Sequence, residues 1–183
     1  MKKLMSRLRL LLHCCCAPCS THPIEFLKER YDLTLFFYNP SIYPHDEYIR
    51  RRDESIKLAE KLDIPIRVLE DDEKVFLDFV KGHEDEAEGE ERCMRCYRQR
   101  LEKTGDVAEA ELFDYFGTTL TISPHKVSQR ILEIGRALAL QLSVKFLSKD
   151  FKLNDGFKHS CELSKEHNLY RQNYCGCRFS IRK

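Results

Sequence analysis

The sequence has few glycines and lacks both the motifs of nucleotide-binding loops and the long apolar runs of membrane spans. It has no tryptophan, and its 183 residues include only 7 glycines and 6 prolines. It contains neither a glycine-rich phosphate loop with its lysine nor a GxGxxG turn, so nucleotide hydrolysis and dinucleotide binding have no support in the sequence. No apolar run approaches the roughly 20 residues that span a bilayer, so we expect a soluble protein without a membrane anchor.

The first residues combine basic side chains with leucines, as a secretory signal peptide does. The apolar run, LRLLL, is short, and cysteines follow it where a signal peptide has a small-residue cleavage site. We therefore interpret this stretch as a buried first strand and expect the protein to stay in the cytoplasm.

Charge is balanced over the whole chain, with 31 basic residues, 30 acidic residues and a net charge of +1. Nucleic-acid binding would therefore depend on local groups of cationic side chains. Three such groups are present, and each is also compatible with an ordinary solvated helix face. They are Arg50, Arg51 and Arg52; Arg92, Arg95, Arg98 and Arg100; and Arg171, Arg178, Arg182 and Lys183.

Short apolar runs alternate with amphipathic stretches, which predicts an α/β domain with a parallel sheet covered by helices on both faces. We expect one domain over residues 1–183, with a helical insertion at about 71–116 that carries a CxxC motif. Ligands of such sheets bind outside the carboxyl ends of the strands. The predicted strands are 8–14, 33–40, 64–70, 116–123 and 144–148, and the predicted helices are 22–31, 46–63, one around 131–142, and 158–168.

Cysteine is abundant, with 9 residues in a chain for which we expect a reducing compartment. Metal or redox chemistry explains such a count better than structural disulfides, and the odd number also argues against a disulfide framework. The cysteines form three groups and one isolated residue. The groups are Cys14, Cys15, Cys16 and Cys19; Cys93 and Cys96; and Cys175 and Cys177, with Cys161 alone.

The CxxC pair, Cys93 and Cys96, has the spacing that lets two thiolates bind one metal ion or cluster. Two further ligands could come from the cysteines that follow the first strand. Adjacent cysteines close poorly on a single ion but can bind different irons, which favours an iron–sulfur cluster over a structural zinc ion. Both alternatives remain open from spacing alone.

The CxC pair, Cys175 and Cys177, is a different kind of motif. A disulfide between them would close a small, strained ring that is easily reduced, and Gly176 would permit the tight turn. The pair is therefore a candidate electron store, with two reduced thiols in a loop as the alternative. We interpret Cys14 and Cys161 as packing residues, and Cys19 as either a ligand or the cap of a helix that starts near Thr21.

Five stretches in order complete the pattern: CCAPCS, FFYNPSIYPHDEYIRR, RCMRCYRQRLEKT, TTLTISPHK and ELSKEHNLYRQNYCGCRFS. Together they resemble the cobalamin-independent epoxyqueuosine reductases of the QueH family. The resemblance covers nearly the whole chain, and LYRQNYCGC is its most specific part.

This resemblance implies a Rossmann-like fold of the HUP type and an oxidoreductase that completes queuosine synthesis in tRNA. The enzyme would reduce the epoxide of epoxyqueuosine in tRNAs with a GUN anticodon, those for Asp, Asn, His and Tyr, with electrons from an unidentified donor. The resemblance implies a [4Fe-4S] cluster bound by Cys15, Cys16, Cys93 and Cys96. It further implies that Cys175 and Cys177 are a redox-active pair, or the ligands of an additional iron ion.

Two other functions are compatible with the cysteine pattern. One is an iron–sulfur tRNA thiolase on a similar fold, which would need an ATP-binding glycine-rich loop where CCCAPCS follows the first strand. The other is an RNA-binding module whose fold is stabilised by a structural zinc ion. Metal content distinguishes the zinc module from the two enzymes.

Overall fold

The computed structural model describes residues 7–70 and 72–181. The start of the segment that we compared with a signal peptide, and Arg182 and Lys183 of the last cationic group, lie outside the described residues. None of the described helices is long and apolar enough to cross a bilayer.

Five parallel strands form one sheet in the order β3-β2-β1-β4-β5. The central strand β1 lies between β2 and β4, so that Leu12 is opposite both Leu35 and Gly117. Its leucines are fully buried because both faces of the sheet are covered. The strands are β1 (Arg9–His13), β2 (Asp32–Phe37), β3 (Ile66–Val68), β4 (Tyr115–Thr118) and β5 (Lys145–Phe146).

Helices cover the two faces of the sheet and bury alternate residues of its strands. On one face, Leu10 and Leu12 pack with apolar residues of α1 and α2; on the other, Leu11 packs with those of α4 and α5. The predicted α/β fold with a parallel sheet and helices on both faces is therefore confirmed. The helices are α1 (Ala17–Leu27), α2 (His45–Lys61), α3 (Glu73–Phe79), α4 (Glu91–Ala110), α5 (Ser128–Ala139) and α6 (Gly156–Glu166).

The predicted insertion contains α3 and α4, and its description as an insertion stays a prediction. Residues of α4 pack against Leu11 of β1 and Phe116 of β4, so this helix also forms part of the core. The helix brings Cys93 and Cys96 to the carboxyl edge of the sheet.

Two predicted boundaries were wrong for local reasons. The helix predicted at 22–31 begins at Ala17, since Pro18 in the first turn needs no hydrogen-bonded amide there. Cys19 therefore lies inside α1 and cannot cap it; Cys16 occupies the N-cap position. The strand predicted at 116–123 ends at Thr118, whose hydroxyl accepts a hydrogen bond from the amide of Leu120 (3.1 Å) as the chain enters a short 3₁₀ turn.

Candidate metal and redox site

The carboxyl ends of β1 and its neighbours hold the chain segments of the site in fixed positions. The imidazole of His13 contacts the Thr118 hydroxyl (3.1 Å) and the side-chain oxygen of Asn39 (3.2 Å). The Asn39 amide in turn donates to the Cys14 carbonyl at 2.9 Å. These buried contacts join three neighbouring strands and fix the backbone from which the next cysteines extend.

Three thiols of the first cysteine group converge beside that network. The sulfurs of Cys15, Cys16 and Cys19 all lie within 4.8 Å of one another, close enough to share one metal site. Cys16 is the N-cap of α1 and Cys19 lies in its first turn, which brings both near Cys15. Gln172 donates a hydrogen bond to the Cys16 sulfur at 3.0 Å. The structure thus adds Cys19, for which the sequence left two roles open, to this group.

The three thiols of this group shift one another's pKa values. Hydrogen bonds with Cys16 and Cys19 hold the pKa of Cys15 well below its usual range. Burial, together with the hydrogen bond to Cys15, raises the pKa of Cys16 to about 12. Cys15 is therefore the most acidic thiol of the group. The remaining member of the motif, Cys14, is fully buried, and burial raises its pKa, which agrees with a packing role.

The CxxC cysteines lie one turn apart near the start of α4, and both are buried (8% and 7% exposed). They line a small cavity together with Cys175 and Cys177. Each CxxC sulfur accepts a hydrogen bond, Cys93 from the Gly89 amide at 3.2 Å and Cys96 from a guanidinium at 3.0 Å. Two distant pairs of cysteines are thus brought to one cavity.

The group of Cys15, Cys16 and Cys19 lies next to the cavity of the CxxC and CxC cysteines. A second cavity of about 410 Å³ is lined by Cys15, Cys19 and Cys175. Cys175 lines both cavities, and Cys15 packs against the same apolar cluster as Cys93. Thiols from three distant segments therefore converge at the carboxyl edge of the sheet.

The tightest group of thiols among the described residues is nonetheless Cys15, Cys16 and Cys19. Cys93 and Cys96 face the adjoining cavity with the CxC pair instead. The ligand set Cys15, Cys16, Cys93 and Cys96 therefore stays a prediction.

Arg100 of α4 is a buried cation at the junction of the two cavities (3% exposed). Its guanidinium donates to the Cys96 sulfur (3.0 Å), to the Ser41 hydroxyl (2.7 Å) and to the Asn39 side-chain oxygen (3.3 Å). Burial opposes its charge, but interaction with the nearby Cys96, Cys175 and Cys15 outweighs this, so the pKa of Arg100 is raised. A fixed positive charge thus faces the thiols.

The cationic group on α4 does not form the single exposed phosphate patch that its sequence suggested. Arg92 and Arg100 are buried and donate to protein groups, Arg92 to the Glu84 carbonyl at 2.8 Å. On α2, Arg51 is buried too, and it donates to the Cys175 carbonyl at 3.0 Å. Sequence alone could not separate these arginines from exposed ones, because Arg51 and Arg100 each also donate to residues distant in the chain.

The CxC turn is held by backbone contacts. Gly176 has a φ of +134°, and its carbonyl accepts a hydrogen bond from the Tyr43 amide at 2.8 Å. A Cβ at this position would lie 3.0 Å from the Arg51 guanidinium, so glycine suits this turn by its conformation and by its small size. All nine cysteines lie within the described ranges, and all are free thiols.

The larger cavity also contains a cation that sequence reasoning missed. Lys126, which lies between β4 and α5, lines it beside His125, Tyr174 and Cys175. Burial disfavours the charge of Lys126, but the nearby Cys175, Tyr97 and Cys15 raise its pKa, so it stays protonated. Its position after a strand, in SPHK, was the available signal.

Comparison with known proteins identifies the family of this chain. A family model described as "Epoxyqueuosine reductase QueH" matches residues 10–183. The chain is 40% identical over 179 residues to "Epoxyqueuosine reductase QueH" of Streptococcus pyogenes serotype M1, covering 94% of this chain and 70% of that protein. It is 37% identical over 175 residues to the Thermotoga maritima protein of the same name, covering 94% of this chain and 90% of that one.

Two solved structures share the fold. One is the U34-tRNA thiolase NcsA from Methanococcus maripaludis with its [4Fe-4S] cluster (TM-score 0.62, 14% identity, 98% of this chain and 63% of that chain). The other is a predicted subunit of a tRNA methyltransferase from Methanocaldococcus jannaschii (TM-score 0.60, 12% identity, 91% of this chain and 93% of that chain). At such identities these likenesses show the fold alone, whereas the family match and the curated relatives show that this chain belongs to the epoxyqueuosine reductase QueH family.

Proposed function

We propose that this chain reduces the epoxide of epoxyqueuosine in tRNA to the alkene of queuosine, with a [4Fe-4S] cluster bound by Cys15, Cys16, Cys93 and Cys96. The observation that carries the proposal is the convergence of thiols from three distant segments on two adjoining cavities. The substrates are tRNAs with a GUN anticodon, reduced in the cytoplasm with electrons from a separate donor.

The residues present fit an iron–sulfur cluster. Soft thiolates are the ligands that such clusters use, and hydrogen bonds to the sulfurs tune their potential. Here Cys16, Cys93 and Cys96 each accept one N–H hydrogen bond, and Arg100 supplies a buried positive charge. A bound cluster would supply electrons one at a time.

The CxC pair completes the electron balance. Epoxide removal consumes two electrons and two protons and yields an alkene and water. Oxidation of Cys175 and Cys177 to a disulfide forms one S–S bond and releases those two electrons and two protons. The separate donor then reduces the disulfide. Lys126 lines the cavity with Cys175, where its positive charge would stabilise negative charge on the oxygen as the C–O bonds break.

An anticodon nucleotide suits the larger cavity. Its volume of about 410 Å³ lies within the range of small-molecule sites. An anticodon loop is single-stranded, so moving one base out of its stack costs little. The exposed Arg171 lines this cavity. Arg50, which stacks on the Tyr170 ring, and Arg98 are also exposed and could contact phosphates of the tRNA backbone. Binding should therefore weaken steeply as the salt concentration rises.

The alternatives have less support. The chain between β1 and α1 consists of Cys14, Cys15 and Cys16, with no glycine, where a thiolase would need an ATP-binding loop. A zinc module explains the three-thiol group but gives no role to the CxC pair beside a nucleotide-sized cavity.

Metal analysis combined with an assay tests the proposed function. Anaerobically purified protein should be brown, contain about four irons and four sulfides per chain, and absorb broadly near 400 nm. With a reductant, it should convert epoxyqueuosine in tRNA to queuosine without ATP. Colourless protein with one zinc ion and no conversion would indicate the binding module, and ATP-dependent sulfur transfer would indicate the thiolase; either result contradicts the proposal.

Replacing Arg100 by glutamine should lower the reduction potential of the bound cluster by on the order of 100 mV. A shift of this size corresponds to the Coulomb energy between two unit charges several ångströms apart at an effective dielectric constant of about 20. Removing the buried cation disfavours the reduced, more negative form. A redox titration followed by electron paramagnetic resonance measures the potential, and Arg100→Lys, which keeps the charge, is the matched control. Equal potentials in the Gln and Lys variants would show that the charge has no such role.

A further inference from the structure

Helices α1 and α6 carry the same short motif on the faces where they meet. His22 and Glu25 are three residues apart on α1, and His159 and Glu162 have the same spacing on α6. Residues three apart on a helix lie side by side. The rings of His22 and His159 meet edge to face, with their centroids 5.3 Å apart. Two His-x-x-Glu pairs therefore face each other across the helix contact.

The distances within this group suit a metal ion. One ligand atom each of His22, Glu25 and His159 lies within 4.8 Å of the others. The carboxylate of Glu25 is 2.5 Å from Nε2 of His159, and that of Glu162 is 3.6 Å from its Nδ1. The side chains of Glu25, His159 and Glu162 are 52%, 41% and 60% exposed, so an ion can reach the group from solvent.

His22 has a feature that its ordinary packing does not explain. Its Nδ1 is buried and has no hydrogen-bond partner. Its Nε2 faces Gly156, where an added Cβ would come within 3.0 Å, so the glycine leaves room for the ring. An ion between the two rings would give this imidazole the partner that it lacks.

We propose that His22, Glu25 and His159 form a zinc-binding site separate from the cysteine site, in which Glu162, beside the other ring nitrogen of His159, orients that imidazole. Two imidazole nitrogens and carboxylate oxygens are a ligand set that Zn²⁺ uses, whereas iron–sulfur clusters take thiolates. The ion would link α1 to α6. Helix α1 follows Cys16 and carries Cys19, and α6 leads into the segment with the CxC motif. The site is independent of the reductase activity.

Zinc titration of the anaerobic, cluster-loaded protein tests this site. The wild-type protein should bind one more zinc ion than His159→Gln, and zinc should raise the melting temperature of the wild type but not that of His159→Gln. Removing a residue that only hydrogen-bonds to a metal ligand lowers metal affinity about 10- to 100-fold. Removing a ligand itself should therefore lower zinc affinity at least about 100-fold. X-ray absorption at the zinc edge should show nitrogen and oxygen ligands for the additional ion.

The matched control is His83→Gln. His83 is also paired with a glutamate, Glu86, at 2.5 Å, but no second histidine belongs to that pair, so this variant should bind zinc as the wild type does. Glu25→Gln serves as a second variant that changes an exposed side chain and should also lose the additional ion. Equal zinc stoichiometry in the wild type and both site variants, or sulfur ligands around the additional ion, would overturn the proposal.

Discussion

Replacing Cys96 by alanine should remove the iron–sulfur cluster and reduce turnover to background. A cluster iron without its thiolate has an incomplete ligand set. Because the Cys96 sulfur also accepts a hydrogen bond from Arg100, the alanine variant leaves a buried cation with one partner fewer. Cys96→Ser restores a hydrogen-bond acceptor and should still lose the cluster. Iron and sulfide content, absorbance near 400 nm and conversion of tRNA are the measurements.

Cys161→Ala is the control for this experiment. Cys161 is half-buried on α6 and lines neither thiol cavity, so its variant should keep both iron and activity. A Cys96→Ala protein with four irons and an unchanged spectrum would show that our ligand set is incorrect.

Replacing Cys175 by serine should stop turnover while the cluster remains. The serine hydroxyl cannot form the disulfide that would store two electrons, whereas the predicted cluster ligands are untouched. Single-turnover assays with pre-reduced protein and iron analysis of the same sample make the measurement. Cys161→Ser, a matched exchange outside the site, should be fully active. Unchanged turnover in Cys175→Ser would remove the CxC pair from the mechanism.

The same iron analysis separates the two roles left open for the CxC pair. If Cys175 and Cys177 act only as a dithiol, the serine variant should contain as much iron as the wild-type protein. If they bind an additional iron ion, the variant should contain about one iron less. The free thiols and the shared cavity in the structure are compatible with both roles.

The general fold could be predicted from the sequence because its signals are local. Alternating apolar runs and amphipathic helices indicate a parallel sheet, and the carboxyl ends of its strands place Cys14, Cys15 and Cys16 at the ligand-binding edge. The convergence of the CxxC and CxC pairs on that edge came from the family resemblance and from the number of ligands that a cluster needs. The structure agrees with that convergence.

The parts that the sequence did not predict depend on contacts between distant elements. Arg100 looks like a member of an exposed arginine group until Asn39, which follows β2, and Ser41 are placed against it. Cys19 joins the thiol group because α1 begins at Ala17, which puts Cys19 one turn after the N-cap Cys16. Proline in the second helical position was the signal for this early start.

Placing Cys93, Cys96 and Arg100 on one helix also determines which changes in chain length the site can tolerate. Their spacing is set by the pitch of α4, so residues added at the exposed turn of Lys81 and Gly82 would leave it unaltered. A single residue inserted between Cys96 and Arg100 would instead rotate the guanidinium by about 100° around the helix axis, away from the sulfur. Aligned relatives should therefore show gaps before α4 and none between these positions.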